Sequence, residues 1–351
     1  MLAKVDRISA CYGNDKSRDR IASVAAATSE ECSTCLGSLA DASVITLQCT
    51  HVFHVECVAE LRKFGVKQAC PLCRTPLPPG PEKLNDEASL RYMIIHRMVT
   101  RGIVSWSALP PEAQGEVDAA ISSWQTAAEQ GLAMAQHNLG CVLLEGYGAP
   151  QSEVEAVRWF KKAAEQGFSK SQFKLGSLVR EGRGAPQDDV EAVRWWRKSA
   201  AQGDVIAQCN LGVMYEDGRG VERTDVEAAL WYRMAAKQGH APAQVYLGTQ
   251  FSEGRGMAQS FSEALRWLNK AVEQGNAEAQ VGMGLALIYG RGVERSDTNA
   301  ASWFKKAAKQ GSVDAQFYLG VCFRDGRGLV QCYEEAAKWS PTKDILMRLF
   351  N

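Results

Sequence analysis

The stretch AQCNLGVMYEDGRGVERTDVEAALWYRMAAKQG, residues 207–239, contains two helical patterns separated by a glycine-rich break. Small and apolar residues recur at helical spacing over residues 207–216 and again over residues 225–237. The Gly-Arg-Gly sequence at 218–220 interrupts the chain between them. Gly239 follows the second pattern, at the place where a left-handed residue ends a helix. This stretch therefore predicts a helix-turn-helix unit.

The unit recurs along the chain with a constant period of 36 residues. Its markers are a Gln-Gly pair after the second helix and a tryptophan within that helix. The pairs end at Gly131, Gly167, Gly203, Gly239, Gly275 and Gly311, and the tryptophans are Trp159, Trp195, Trp231, Trp267, Trp303 and Trp339. A period of this length is typical of a solenoid. Because a single helix pair cannot bury its apolar stripe, we expect the six units to stack on one another.

These residues resemble the Sel1-like repeat family, a relative of the tetratricopeptide repeats. The matching elements are Ala-Gln before Leu-Gly, the Gly-x-Gly turn, Ala-x-x-Trp and Ala-Ala-x-Gln-Gly. The resemblance implies an all-α solenoid over residues 117–340 that binds proteins or peptides. Residues 117–130 match only the second helix of a unit, so they are expected to cap its N-terminal end. Residues 341–351 depart from the pattern and are expected to cap the other end.

Eight cysteine and histidine residues cluster near the start of the chain, spaced as C-x2-C, C-x-H-x2-H-x2-C and C-x2-C. They are Cys32, Cys35, Cys49, His51, His54, Cys57, Cys70 and Cys73. Zinc takes four such ligands, so eight predict two closed structural sites with no open position for a substrate water. Spacing alone leaves two pairings open, interleaved or sequential, and sequential pairing would give tandem zinc ribbons or fingers. The crowding of four ligands in the central stretch favours the interleaved form.

This spacing is similar to that of the RING family, in the form with histidine at the fourth and fifth ligand positions. The resemblance implies a small α+β domain at residues 28–78 with interleaved zinc sites. One zinc would be held by Cys32, Cys35, His54 and Cys57, and the other by Cys49, His51, Cys70 and Cys73. It also implies contacts to a conjugating enzyme from Thr34, Leu61, Pro71 and Arg74. Thr34 and Leu61 differ from the aliphatic residue and the tryptophan usual there, while Arg74 is the candidate linchpin to ubiquitin.

The RING resemblance implies that the chain functions as a ubiquitin ligase. Such a domain binds a ubiquitin-charged conjugating enzyme and positions its thioester for attack by a substrate lysine, with no covalent intermediate of its own. The alternative is a non-catalytic scaffold in which the zinc domain only binds other proteins, and Thr34 is the residue in its favour. Nucleic-acid binding is disfavoured because the zinc domain has no basic stripe.

The repeats are expected to recruit the protein substrate or an adaptor. Scaffold positions should be alike in every copy, whereas contacts to a partner that does not repeat should differ. One column of the first helix varies in this way: Asn138, Lys174, Asn210, Tyr246, Gly282 and Tyr318. Among them Lys174, Asn210, Tyr246 and Tyr318 are the candidate substrate contacts, and the alternative is neutral drift on a solvated surface.

Composition is that of a soluble globular protein of 351 residues, with 40 basic and 40 acidic side chains. The chain has no long apolar run that would span a membrane and no secretory signal, so the cytosol or nucleus is the expected compartment. Residues 1–27 are predicted to be flexible. Residues 79–116 are predicted to form a connector with a helix at about 86–99, since the prolines from Pro76 to Pro81 bar a regular helix before it.

Overall fold

The computed structural model describes residues 44–47, 51–54, 57–59, 62, 69–70, 72–75, 77 and 79–339. The chain divides into two compact units, Met1–Ser152 and Glu153–Asn351. The predicted flexible segment at 1–27 and the predicted C-terminal cap at 341–351 lie outside the described residues.

The described part of the first unit starts with a short antiparallel hairpin. Strand β1 (Val44–Thr46) pairs with β2 (Val52–His54), so that Ile45 lies opposite Phe53. Phe53 is fully buried and packs in a small apolar core, which is completed by Leu47, Cys57, Val58, Cys70 and Leu77. Two residues proposed as metal ligands, Cys57 and Cys70, are therefore part of the core, and the ligands and the core depend on each other for their positions.

From residue 79 onward the first unit contains three helices: α1 (Pro81–Thr100), α2 (Pro111–Glu129) and α3 (Ala133–Glu145). The sequence predicted that α1 would begin near residue 86, because prolines precede it. The helix in fact starts at Pro81. The first N–H groups of a helix have no intrahelical acceptor, so a proline that lacks this group is tolerated at the first position. Pro111 begins α2 in the same way.

Over residues 153–339 the second unit consists of helices, and all but the final one of these are 13 residues long. They are α4 (Glu153–Glu165), α5 (Ser169–Glu181), α6 (Asp189–Ala201), α7 (Val205–Asp217), α8 (Asp225–Lys237), α9 (Ala241–Glu253), α10 (Phe261–Glu273), α11 (Ala277–Tyr289), α12 (Asp297–Lys309), α13 (Val313–Asp325) and α14 (Tyr333–Trp339). The predicted helix-turn-helix repeat is confirmed. Helix α8 has the predicted bounds, and α7 is longer than residues 207–216 at both ends.

The Gly-x-Gly turn has a different role for each glycine. Gly218 ends α7 in the left-handed conformation, with φ of 70°. Gly220 also has a positive φ, and a Cβ there would collide with the backbone of Asp189 at the start of α6. The second glycine is therefore required for the close approach of one repeat to the preceding one.

The largest buried side chains occupy the position directly after the tryptophan. Phe160, Trp196, Tyr232 and Phe304 are almost fully buried at successive copies of this position, and Leu268 replaces them in one repeat. The tryptophans are less deeply buried, and a lysine three residues on covers the ring of four of them, Trp159, Trp195, Trp267 and Trp303. Lys198, for example, lies 4.2 Å from the ring centre of Trp195. Among the described residues, no helix is long and apolar enough to cross a membrane.

Candidate metal centre and binding surfaces

Three of the proposed zinc ligands converge beside the hairpin. The ligand atoms of His51, Cys70 and Cys73 all lie within 4.8 Å of one another. His51 Nδ1 is 3.6 Å from Cys70 Sγ. Ligand atoms around a tetrahedral zinc are about 3.4–3.8 Å apart, given the usual zinc–nitrogen and zinc–sulfur bond lengths. The donor set, one imidazole and two thiolates, and the distance between His51 and Cys70 therefore fit a zinc site.

A second pair of candidate ligands lies at the end of β2. His54 Nδ1 is 4.0 Å from Cys57 Sγ. His51 thus groups with Cys70 and Cys73, and His54 with Cys57. This is the grouping of the interleaved arrangement, because sequential pairing would put Cys70 and Cys73 beside His54. The remaining candidates, Cys32, Cys35 and Cys49, lie outside the described residues.

The turn that carries the last two ligands is held by its own hydrogen bonds. The Arg74 N–H donates to the Cys70 carbonyl at 2.8 Å, and the Cys70 N–H donates to the Thr75 carbonyl at 2.7 Å. The Thr75 hydroxyl lies 3.1 Å from Cys73 Sγ. A hydroxyl at this distance can donate to a metal-bound thiolate, which orients the ligand.

Arg74, the candidate linchpin, is exposed and has a φ of 62°. Among the described residues it is the one residue other than glycine with a positive φ. The left-handed region costs a residue with a side chain roughly 1–2 kcal/mol, and the turn around Cys70 holds Arg74 there. The other three residues proposed to contact a conjugating enzyme, Thr34, Leu61 and Pro71, lie outside the described residues.

The variable column of the repeats does not form one open surface. In the first unit Asn138 donates to Asn85 of α1 at 3.0 Å, so this copy is already in contact with another helix. Lys174 and Asn210 are partly buried. Tyr246 is 37% exposed, and one face of its ring stacks on Tyr232 with the ring centres 5.0 Å apart.

The last copies of the column show why its residue types differ. Tyr318 stacks on Phe304 with the ring centres 5.2 Å apart. A Cβ on Gly282 would lie 3.1 Å from Leu268, which replaces the aromatic residue of the other repeats. Glycine at this position therefore lets Leu268 pack close to the backbone of α11. Part of the variation in the column therefore compensates for the core residue beneath it.

A pocket of about 380 Å³ opens beside Tyr246 in the second unit. Its lining comes from the first helices of four successive repeats, α7, α9, α11 and α13, and from the turns that follow or precede them. Its lining residues are Glu216, Val245, Tyr246, Thr249, Arg255, Glu278, Val281, Ser312 and Asp314. Sequence comparison of the repeats identified Tyr246 but not the acidic residues, since these sit in other columns.

The charges around this pocket are mainly negative. Glu216 accepts hydrogen bonds from the Tyr232 hydroxyl at 2.7 Å and from Arg255 at 2.6 Å, so its charge is compensated. Glu278 and Asp314 have no ion-pair partner among the described residues and are exposed. The pKa of Tyr246 is raised, chiefly by burial and then by nearby groups including the Glu278 carboxylate. The pocket thus combines an aromatic ring with uncompensated negative charge.

Comparison with protein families agrees with this architecture. The Sel1 repeat model matches residues 133–168, 169–204, 205–240, 241–276, 277–312 and 313–340. The Ring finger domain model matches residues 30–74. A search of curated proteins found no match.

The solved structures similar to the chain include two at 29% identity. One is c5321, described as a protective antigen of uropathogenic Escherichia coli strains displaying an SLR fold, with 29% identity and a TM-score of 0.61. The match covers 82% of this chain, which spans 63% of that protein. The other is a Sel1 repeat protein from Oxalobacter formigenes, with 29% identity, a TM-score of 0.57, and coverage of 62% of this chain and 90% of that one. This chain therefore belongs to the Sel1 repeat family and carries a RING finger domain ahead of its six repeats.

Proposed function

We propose that this chain is a RING-type ubiquitin ligase that uses its zinc domain to bind a ubiquitin-charged conjugating enzyme. The observation that supports this most directly is the grouping of His51 with Cys70 and Cys73, which is the ligand set of an interleaved RING. We assign the two zinc ions to the eight ligands as the interleaved pattern requires. Both are structural, and the chain is expected to act in the cytosol or nucleus.

Catalysis by such a domain is positioning of the thioester rather than acid–base chemistry. Arg74 is suited to this task because it is exposed and directly follows a zinc ligand. Its guanidinium presents several donors in a fixed plane, which can bind carbonyl oxygens of two proteins at once. The backbone of the Cys70 turn fixes its direction, so a folded zinc domain is needed for the arginine to act.

The repeats are proposed to recruit the substrate or an adaptor, with Tyr246 as the main contact and Lys174, Asn210 and Tyr318 as further contacts. Tyr246 lines the pocket, and the ring face not stacked on Tyr232 is available to a ligand. The free carboxylates of Glu278 and Asp314 favour a partner segment with lysine or arginine. A cation held over a tyrosine ring beside carboxylates gains both contacts.

The test of ligase activity is autoubiquitination by the zinc-loaded full chain with a panel of conjugating enzymes. Arg74→Gly is the decisive variant. Glycine adopts the left-handed conformation without strain, so this variant should keep about two zinc ions per chain and an equal or higher melting temperature. We expect its activity to fall at least tenfold, and that of Arg74→Lys to fall less. Cys70→Ser should lose both zinc and activity.

Two outcomes would replace the proposal with the scaffold alternative. One is a wild-type chain that binds zinc but supports no ubiquitin transfer with any enzyme of the panel. The other is an Arg74→Gly variant with full activity, which would remove the linchpin role. Substrate recruitment is tested separately, by binding of partner proteins to the full chain and to Tyr246→Ala, since that variant should retain autoubiquitination.

A further inference from the structure

The first helices of the repeats in the second unit carry free charges in a definite order. Helix α5 has Lys170 and Lys174, whereas α7, α9 and α11 contain no lysine or arginine. The single basic residue of α13, Arg324, forms an ion pair with the residue that follows it, at 2.6 Å. The carboxylates of Glu278 and Asp314, which line the pocket of this unit, lie on α11 and α13. Within the described residues, free positive charge on these helices is therefore confined to α5.

The free charges lie on one face of the stacked repeats. Equivalent positions in successive repeats of a solenoid fall on the same surface. The second residue of each first helix is, in chain order, Lys170, Ile206, Pro242, Glu278 and Asp314. Lys174 lies one turn after Lys170 on the same side of α5, at the position that Tyr246 has on α9. Since Ile206 is 50% exposed, the face runs from two lysines, over an apolar side chain, to the pocket and its carboxylates.

The two lysines of α5 do not form ion pairs with acidic residues of the neighbouring first helix. Asp204 precedes α7 and accepts a hydrogen bond from the Ala207 N–H at 2.8 Å, so its carboxylate caps that helix. Glu216 and Asp217 lie at the other end of α7. Neither lysine has an ion-pair partner among the described residues, so both ammonium groups are available to the carboxylates of a partner.

The separation of the two charged regions sets the length of a segment that could reach both. Packed helices lie about 8–10 Å apart, and three steps lead from α5 to α11, so the lysines and Glu278 are separated by roughly 25–30 Å. An extended chain rises about 3.3 Å per residue, so roughly eight residues would connect its two charged ends.

We infer that this face binds a protein segment with aspartate or glutamate at one end and arginine or lysine at the other. The acidic end of the segment lies against Lys170 and Lys174, its middle covers Ile206, and its basic end enters the pocket between Tyr246 and Glu278. The charge order selects such a segment, because a uniformly acidic or uniformly basic one would meet like charge at one end. The inference rests on the proposed recruiting role of the repeats and adds the charge pattern of what they recruit.

The test is fluorescence anisotropy with labelled synthetic peptides and the zinc-loaded full chain at low salt, where surface charges are least screened. The first peptide has two glutamates and two arginines separated by about eight uncharged residues that include leucine. The second has the same composition, with the glutamates and arginines alternating at one end. We expect the wild type to bind the first peptide at least about tenfold more tightly, because the second cannot reach both charged regions.

Charge reversal at either end of the face should change which peptide is preferred. The variant that combines Lys170→Glu with Lys174→Glu should prefer a peptide with arginines at both ends. The variant that combines Glu278→Lys with Asp314→Lys should prefer one with glutamates at both ends. Melting temperatures of both variants show whether the repeats remain folded.

The matched control combines Lys161→Glu with Lys305→Glu. Both are exposed lysines of second helices, so this variant changes the net charge as much as reversal at α5 does but leaves the face intact. It should bind the first peptide like the wild type. If the wild type bound the two peptides equally or not at all, or if the control lost as much binding as the α5 variant, the inferred charge pattern would be overturned. Autoubiquitination and the Tyr246→Ala comparison test the proposed function independently of these peptides.

Discussion

The Gln238 side-chain amide donates a hydrogen bond to Gln208 Oε1 at 2.8 Å, and so joins the two ends of one repeat. Gln208 is 2% exposed and in turn donates to the Ala200 carbonyl of the preceding repeat at 3.1 Å. The same pair recurs at Gln202 and Gln172, Gln274 and Gln244, and Gln310 and Gln280. The glutamines Gln202, Gln238, Gln274 and Gln310 of four Gln-Gly pairs therefore make a hydrogen bond that recurs from repeat to repeat.

Replacement of Gln208 by methionine should destabilise the second unit. The substitution preserves shape but removes both side-chain hydrogen bonds of Gln208, the one to the Ala200 carbonyl and the one from the Gln238 amide. Each hydrogen bond contributes about 0.5–1.5 kcal/mol net. The measurement is the urea midpoint of the full chain. Gln238→Ala is the control and should cost less, because Gln238 is exposed and its loss leaves only one buried acceptor unsatisfied.

The sequence was sufficient to predict the period, the two helices of each repeat and the Gly-x-Gly turn, because these depend on residues that recur unchanged. It did not identify the deepest core position. Tryptophan recurs at Trp195 and its equivalents, yet the neighbouring column that holds Trp196 and Tyr232 is more deeply buried. That column accepts Phe, Trp, Tyr or Leu, since each can be matched by the residue that packs against it. Such compensation is not visible when single columns are compared.

The candidate sites were likewise predictable from the sequence only in part. The spacing of cysteines and histidines could be read from the sequence because it is fixed, and among the described residues His51, Cys70 and Cys73 lie together; their role as zinc ligands stays a prediction. The acidic pocket could not be predicted, because Glu216, Glu278 and Asp314 come from three repeats and meet only through stacking. The positive φ of Arg74 was also not predictable, as it results from the backbone hydrogen bonds of Cys70 with Arg74 and Thr75.

Two helical glycines should respond oppositely to alanine. A Cβ on Gly212 of α7 would overlap the fully buried ring of Tyr232, so Gly212→Ala should lower the unfolding free energy by about 1–3 kcal/mol. Gly115 of α2 has open space around its Cβ position and an ordinary φ. Gly115→Ala should therefore stabilise its helix by up to about 1 kcal/mol. Thermal unfolding of both variants tests this, and equal effects would contradict the packing described for Gly212.

His240 should make the stability of α9 depend on pH. Its Nδ1 accepts a hydrogen bond from the Ala243 N–H at 3.4 Å, which requires a neutral ring at this position. Burial lowers the pKa of His240 from the ordinary value of 6.5. The pKa of His240 is therefore lower in the folded state than in the unfolded state. Its cap contributes fully to the free energy of unfolding above pH 6.5, and this contribution is lost as the pH falls through the folded-state pKa.

The matched variant is His240→Asn. Asparagine caps α11 at the equivalent position, Asn276, and its side chain does not titrate. We expect wild type to lose up to about 1 kcal/mol relative to His240→Asn on acidification, as for loss of a helix cap. Denaturant unfolding at a series of pH values measures the difference. Parallel curves for the two proteins would contradict the capping role.

Gln250 is the clearest candidate for stabilisation. It is 1% exposed, and neither polar atom of its amide has a hydrogen-bond partner among the described residues. The equivalent positions in other repeats hold the apolar residues Leu178, Met214 and Cys322. Burial of an unpaired amide costs about 1–3 kcal/mol, so Gln250→Met should raise the unfolding free energy by an amount in that range. The reverse change, Met214→Gln, should lower it by a similar amount. Destabilisation by Gln250→Met would contradict this prediction. It would mean that the Gln250 amide makes a hydrogen bond in solution, even if Met214→Gln is destabilising as expected.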